Sequence, residues 1–176
     1  MKELINYLNK DLLSKSKRKI LLFAYIILNK GNLNAVLSTK AYLIFSNKKG
    51  LIYKIITLLI KNYLIKNYGI ELSRNVKIGK NFRYGHANGI ILGEGVVIED
   101  NVTIYQQVTI GLSNLKQKGN LKDYPHIKNN VVIYAGAKII GNIVINEGSI
   151  IGANAVINRT TEKNGIYAGI PAKKIR

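Results

Sequence analysis

Cysteine and tryptophan are absent from the 176 residues, and methionine occurs once. Without thiols there can be no disulfide and no cysteine-ligated metal. Histidine occurs only at His86 and His126, too few for a histidine-rich centre, so no metal is expected. Long apolar runs are missing as well. Ile20–Leu28 follows the basic cluster Lys15–Lys19 but is far shorter than the roughly 20 residues that span a bilayer, and no small-residue cleavage site follows it. Leu51–Ile65 is broken by Lys54 and Lys61, which suits an amphipathic helix. P-loop, dinucleotide and zinc spacings are also absent. A cytoplasmic protein is the expectation.

Acidic side chains are scarce. Nine Asp and Glu stand against 27 Lys and Arg, a formal charge of +18, and residues 1–80 carry 16 of the bases but only three acids, Glu3, Asp11 and Glu71. Such an excess attracts polyanions in general. It is mostly lysine and lacks a recognition-helix pattern, so no specific nucleic-acid partner is expected. An anionic membrane surface is the alternative partner for the basic N-terminus, which would place the protein at the inner face of the membrane.

What is present falls into two parts with different periods. Residues 1–69 form a basic helical region: Leu4, Ile5, Leu8, Leu12 and Leu13 recur at helical spacing, as do Ile52, Ile55, Ile56, Leu59 and Ile60. Gly31-Asn32 and Ser46–Gly50 read as breaks between helices, and no catalytic signature is visible in them. Residues 70–176 repeat every six residues. Leu72, Ile78 and Tyr84 open the series; after a two-residue slip it resumes at Leu92, Ile98, Ile104 and Ile110, then runs from Ile127 through Ile133, Ile139, Ile145 and Ile151 to Ile157. A second small or branched residue follows four positions later, as at Val76, Val96, Val102, Val131 and Ala137. Gly or Asn lies between, where positive φ is easiest.

A period of six is neither a 3.6-residue helix nor a two-residue hairpin; it is a parallel β-helix of short strands and turns. Its ends need capping, which the N-terminal helices and the tail after Ile157 can supply. Between Ile110 and Ile127 lies an excursion, residues 111–126, whose polar and basic stretch Leu112–Lys122 reads as a functional loop.

The hexapeptide pattern resembles the left-handed β-helix acyltransferases, and several segments resemble the serine acetyltransferases in particular. Gly85-His86-Ala87-Asn88-Gly89 is similar to the segment holding their catalytic histidine. Asp100–Gly111 and Tyr134–Ile143 are similar to later coils, and Ala168–Ile175 to the family's Gly-x-Pro-Ala-basic ending. The fold this implies is mainly β, a left-handed parallel β-helix of hexapeptide repeats with a small N-terminal α-helical region.

The resemblance also implies a homotrimer with acetyl-CoA, as co-substrate, in a groove between subunits. It makes His86 the general base, oriented by a carboxylate fifteen residues earlier, where Glu71 stands; a histidine titrating near neutrality suits that task. It assigns Gly111, Ser113, Ala135, Ala153, Lys173 and Lys174 to acetyl-CoA, the alanines leaving room for pantetheine and the lysines meeting phosphates. Gly85, Asn88, Asp123, Tyr124 and His126 fall to the acceptor.

Two departures bear on that acceptor. Gly85 stands where the serine enzymes have Asp, and Asp123-Tyr124-Pro125 where they have Arg-His-Pro. With the short, basic, Tyr- and Ile-rich N-terminus, these resemble the capsule and exopolysaccharide branch. The expectation is therefore an acetyl-CoA-dependent O-acetyltransferase acting on a sugar hydroxyl in surface polysaccharide biosynthesis. The alternatives are a serine O-acetyltransferase of cysteine biosynthesis, and a non-catalytic trimeric scaffold or membrane-binding module.

Overall fold

A computed structural model describes residues 31–113 and 120–176. The helical periodicity at Leu4–Leu13, the segment Ile20–Leu28, the basic charge before Gly31 and residues 114–119 of the excursion lie outside the described residues.

Two helices open the described chain, α1 (Asn32–Ser46) and α2 (Leu51–Tyr68), each starting directly after a glycine. The second ends on Gly69 at φ 60°, whose N–H closes on the carbonyls of Leu64 and Ile65. That left-handed C-cap is the place where glycine costs least. From α1, Ala35, Thr39 and Tyr42 are buried, and from α2, Leu64 and Tyr68. Together they cover the first coil. A buried contact of 3.1 Å joins the Thr39 and Tyr84 hydroxyls.

From Glu71 onward the chain winds into a left-handed parallel β-helix with three faces. The first face stacks Glu71–Leu72, Ile91–Leu92, Thr109–Gly111, Lys138–Ile140 and Val156–Ile157. The second stacks Lys77–Ile78, Val97–Ile98, His126–Ile127 and Val144–Ile145. The third stacks Arg83–Tyr84, Thr103–Ile104, Val132–Ile133, Ile150–Ile151 and Ile166–Ala168, on which Lys173–Lys174 folds back antiparallel. Strands of two or three residues suffice because each residue bonds to its copy one coil away, about 4.8 Å distant.

The six-residue series is the bore. Leu92, Ile110 and Ile139 stack on one face, Ile98, Ile127 and Ile145 on the next, Ile104, Ile133 and Ile151 on the last, all at most 2% exposed. Each fully buried aliphatic of this size stabilises the fold by about 1.5–3 kcal/mol.

The three edges between faces differ. On the edge between the second and third faces, Asn81, Asn101 and Asn130 hold left-handed φ of 53–61°. Their amides bond in file: Asn81 donates to Asn101 over 3.0 Å, and Asn101 to Asn130 over 3.1 Å. The other two edges carry most of the candidate site residues, with Glu71, His126, Lys173 and Lys174 on strands of the faces.

Candidate active site

A regular coil takes 18 residues, as from Ile91 to Thr109 or from Lys138 to Val156, but Glu71 pairs with Ile91, 20 residues on. The slip falls at the corner Gly85–Gly89, on the edge joining the third face to the first. There Asn88 closes a tight turn by donating to the His86 carbonyl over 3.1 Å. Gly89 sits at φ 63° and donates to Tyr68 over 2.8 Å. The excess residues push His86 outward, and its side chain is exposed.

Below the imidazole lies an aromatic column. The His86 and Tyr105 rings meet edge-on, with centroids 6.0 Å apart, and Tyr105 stacks on Tyr134 at 5.1 Å. The coil register makes the column, since Gly85 bonds to the third-face strand that ends beside Tyr105, and Tyr105 to the strand that ends beside Tyr134. Gly85 is glycine for a steric reason: a Cβ there would come within 2.5 Å of the Tyr105 ring. Farther along the same edge, Ala135 and Ala153 leave the backbone accessible, with the Asn154 N–H donating to the Ala135 carbonyl over 2.8 Å. Beside them Gln107 holds a left-handed φ of 60°, and Lys138 Nζ donates to its carbonyl over 2.7 Å. His86, Asn88, Ala135 and Ala153 therefore share one edge.

Glu71 begins the first-face strand beside this corner, its N–H donating to the Ile90 carbonyl over 2.9 Å. Its carboxylate is exposed, and among the described residues no hydrogen bond or ion pair joins it to His86.

Gly111, Ser113, Asp123 and Tyr124 stand on a different edge, between the first and second faces. Gly111 accepts from Gly141 over 2.9 Å. The excursion returns through a short 3-10 helix, Leu121–Asp123, where the Asn120 amide donates to the Asp123 carboxylate over 2.8 Å. Tyr124 is only 8% exposed and fills the hollow left by Gly93 and Gly95, where Cβ atoms would meet its ring at 2.8 and 2.5 Å. Burial, with the charge of Glu94 added, pushes its hydroxyl above the usual tyrosine value.

His126 projects from the second face. Its Nε2 and Lys128 Nζ each lie 2.9 Å from Glu99 Oε1. Lys173 and Lys174 line a 330 Å³ hollow at the C-terminal end with Arg159 and Thr160, and Lys174 is paired with Glu162 at 2.6 Å. Among the described residues no three His, Asp or Glu side chains gather to hold a metal.

Two elements of this geometry carry no sequence signal of function. Tyr105 and Tyr134 lie in ordinary repeat segments and become a column only through the register. Asn32, the first residue of α1, reaches the His86 corner from 53 residues upstream, in a segment without catalytic signature.

A mainly β left-handed β-helix, with an exposed histidine at an irregular corner above small-residue steps, gives the chain a serine acetyltransferase-like hexapeptide β-helix fold. Residues 124–159 match the bacterial transferase hexapeptide (six repeats) family. The serine acetyltransferase of Staphylococcus aureus is 37% identical over 108 residues, covering 61% of this chain and 49% of that protein. A serine acetyltransferase solved in complex with CoA aligns with TM-score 0.69 at 31% identity, over 86% of this chain and 60% of that one. One solved in complex with cysteine aligns with TM-score 0.71 at 31% identity, over 87% and 57%. The chain spans about half the length of the curated bacterial relatives it matches.

These likenesses correct the sugar-hydroxyl expectation. Relatives in sequence and structure alike are serine acetyltransferases, so the polysaccharide reading gives way to the serine alternative. The residues that prompted it have packing explanations. Gly85 makes room for Tyr105, Asp123 is engaged by Asn120, and Tyr124 is buried with no free ring face to stack on a sugar.

Proposed function

We propose that this chain is an acetyl-CoA-dependent O-acetyltransferase whose acceptor is L-serine. The observation that carries the reading is the placement of His86, exposed at the expanded corner between the third and first faces and on the same edge as Ala135 and Ala153. The imidazole takes the proton of the acceptor hydroxyl as its oxygen attacks the thioester carbonyl. The carbon–sulfur bond then breaks, and the departing CoA sulfur receives that proton, leaving an O-acetyl ester and free CoA. Acetyl-CoA runs past Ala135 and Ala153, with Gly111 and Ser113 beside it and Lys173 and Lys174 toward its phosphates. Glu71, at the start of the first-face strand beside the corner, is the candidate to orient the imidazole, and Gly85 and Asn88 border the acceptor.

The assembly is a homotrimer. His86 and the group Gly111, Ser113, Asp123 and Tyr124 stand on different edges, separated by the whole first face, so one copy does not bring them together. A threefold arrangement sets the His86 edge of one copy against the excursion edge of the next. His126, tied to Glu99 on the second face, borders that interface.

Free-thiol release from acetyl-CoA with L-serine tests the reading. Wild type turns over, and His86→Ala loses about 10²–10⁴-fold, the usual worth of a general base. Wild type inactive toward L-serine overturns the acceptor assignment, and His86→Ala at full rate overturns the mechanism.

A membrane-surface reading has one observation of its own. Leu51, Ile52, Ile55, Leu58 and Leu59 of α2 are 46–74% exposed, beside Lys54 and Lys61, a pattern that adsorbs to anionic bilayers. It places the protein at the inner face of the membrane. Flotation with vesicles of anionic phospholipid checks it, and partitioning unchanged in Ile55→Asp/Leu59→Asp sinks it. Among the described residues no helix is long and apolar enough to cross a membrane.

A further inference from the structure

The corner that carries His86 is held by a side chain from outside the β-helix. Asn32 Nδ2 donates to the Gly85 carbonyl over 2.6 Å, and Asn32 Oδ1 accepts from the Ala87 N–H over 3.0 Å. One carboxamide thus engages both backbone groups that flank His86. The carbonyl and amino ends each find the partner they need, which fixes the amide's orientation.

The corner needs such a clasp. Elsewhere along this edge a corner bonds to its copies above and below, as Gln107 does to Asn88 and Gly136 to Gln106. At residues 85–87 the two-residue expansion breaks that register. Gly85 N–H still bonds to the next coil, at Ile104, but among the described residues its carbonyl and the Ala87 N–H are satisfied by Asn32 alone. Among the described residues the imidazole itself makes no hydrogen bond or ion pair, only its edge contact with Tyr105. Its position is therefore set by the backbone of the corner, and that backbone by Asn32.

We infer that Asn32 is a positioning residue for His86, through which α1 places the imidazole of the β-helix. The inference rests on the reading of His86 as general base. A general base misplaced by about 1 Å can cost 10²-fold in rate without losing substrate affinity, so the effect belongs in kcat. The second tie from α1 to the same coil, Thr39 to Tyr84, is buried and acts through the Tyr84 hydroxyl instead of through the Gly85 and Ala87 backbone. It is the control for a purely structural role.

The test uses the full chain with Asn32→Ala, Asn32→Asp and Thr39→Val. Steady-state thiol release and melting temperature are followed together with the Hε1 resonances of ¹³C-labelled histidine, of which there are only two to assign. Asn32→Ala lowers kcat about 10–100-fold, leaves KM for acetyl-CoA within about twofold, and shifts or broadens the His86 resonance while His126 stays put. Asn32→Asp keeps the acceptor for the Ala87 N–H but sets a carboxylate against the Gly85 carbonyl, so it does not rescue kcat. Thr39→Val lowers the melting temperature and leaves both resonances and kcat near wild type. An unmoved His86 resonance in Asn32→Ala overturns the inference, whatever the activity. So does a kcat loss in Thr39→Val equal to that in Asn32→Ala. If wild type turns over no acceptor, the catalytic reading fails on its own, while the resonances still report whether Asn32 sets the imidazole.

Discussion

Two edges of the same β-helix share one backbone turn and carry different side chains on it. On the edge between the second and third faces, Asn81, Asn101 and Asn130 repeat one left-handed conformation and pass one hydrogen bond from coil to coil. Each asparagine of that file bonds to its neighbour in the file, and Asn130 also donates to Glu147. On the edge between the third and first faces the corners Gly85–Gly89, Tyr105–Gln107, Tyr134–Gly136 and Gly152–Asn154 keep a left-handed residue each, at Gly89, Gln107, Gly136 and Asn154, but differ in side chains and, at the first, in length. No file of amides runs along it, and it leaves an imidazole and a row of small residues exposed. Repetition stabilises the solenoid, and the chemistry gathers where repetition is given up.

The bore beneath both edges is the common support, so its loss is the largest expected effect on the fold. Ile133 is 0% exposed and stacked between Ile104 and Ile151. Ile133→Ala removes about 2–5 kcal/mol by deleting buried methylenes and leaving a cavity. Denaturant unfolding at fixed protein concentration measures it. A loss below 1 kcal/mol would mean that the coils repack and that neither edge depends on the bore.

The irregular edge is tested next, at Gly85. Gly85→Ala sets a methyl against the Tyr105 ring, and overpacking of this kind costs about 1–3 kcal/mol. Because Tyr105 lies beneath His86, activity falls in the same variant. Pairing it with Tyr105→Ala removes the clash, and the stability cost of the glycine substitution shrinks in a double-mutant cycle. Additive losses would show that ring and glycine do not press on one another.

How much of this was legible in sequence follows the same division. The bore was readable because a buried stack admits only branched aliphatics or an aromatic, every six residues, and Leu72 through Ile157 keep that rule. The His86 corner was readable through the slip between Tyr84 and Leu92 and the glycines around it. What escaped depends on contacts between distant segments. Nothing about an Asn after a Gly at residue 31 announces a clasp on residue 85. Tyr124 is buried against Gly93 and Gly95, a fit that local sequence does not encode. The register sets His126 beside Glu99, 27 residues away in the chain.

On the regular edge, Asn101 accepts from Asn81 and donates to Asn130 at φ 60°. Asn101→Ala forces an L-residue with a Cβ and no side-chain bond into left-handed space, at about 1–2 kcal/mol. Asn101→Gly removes the strain and loses only the amide bonds, so it unfolds closer to wild type. Equal losses in the two variants would assign the edge's stability to the hydrogen-bonded file instead of to backbone conformation.

The smallest effect lies where the second face meets the regular edge. Burial pushes the Glu99 carboxyl upward, but hydrogen bonds and charge from Lys128, then from His126, outweigh it and hold it below the ordinary value of 4.5. A depressed folded pKa means that the unfolded chain binds the proton more readily. The stabilisation is therefore present in full above about pH 4.5 and lost as pH falls through the lower folded value. The cluster is partly exposed, so solvent screens it to under about 1 kcal/mol. Glu99→Gln is slightly less stable than wild type at pH 7, and the gap closes toward pH 3 in urea unfolding. A gap unchanged at pH 3 would assign the contribution to packing of the side chain, and would leave the charge at this face without a part in the fold.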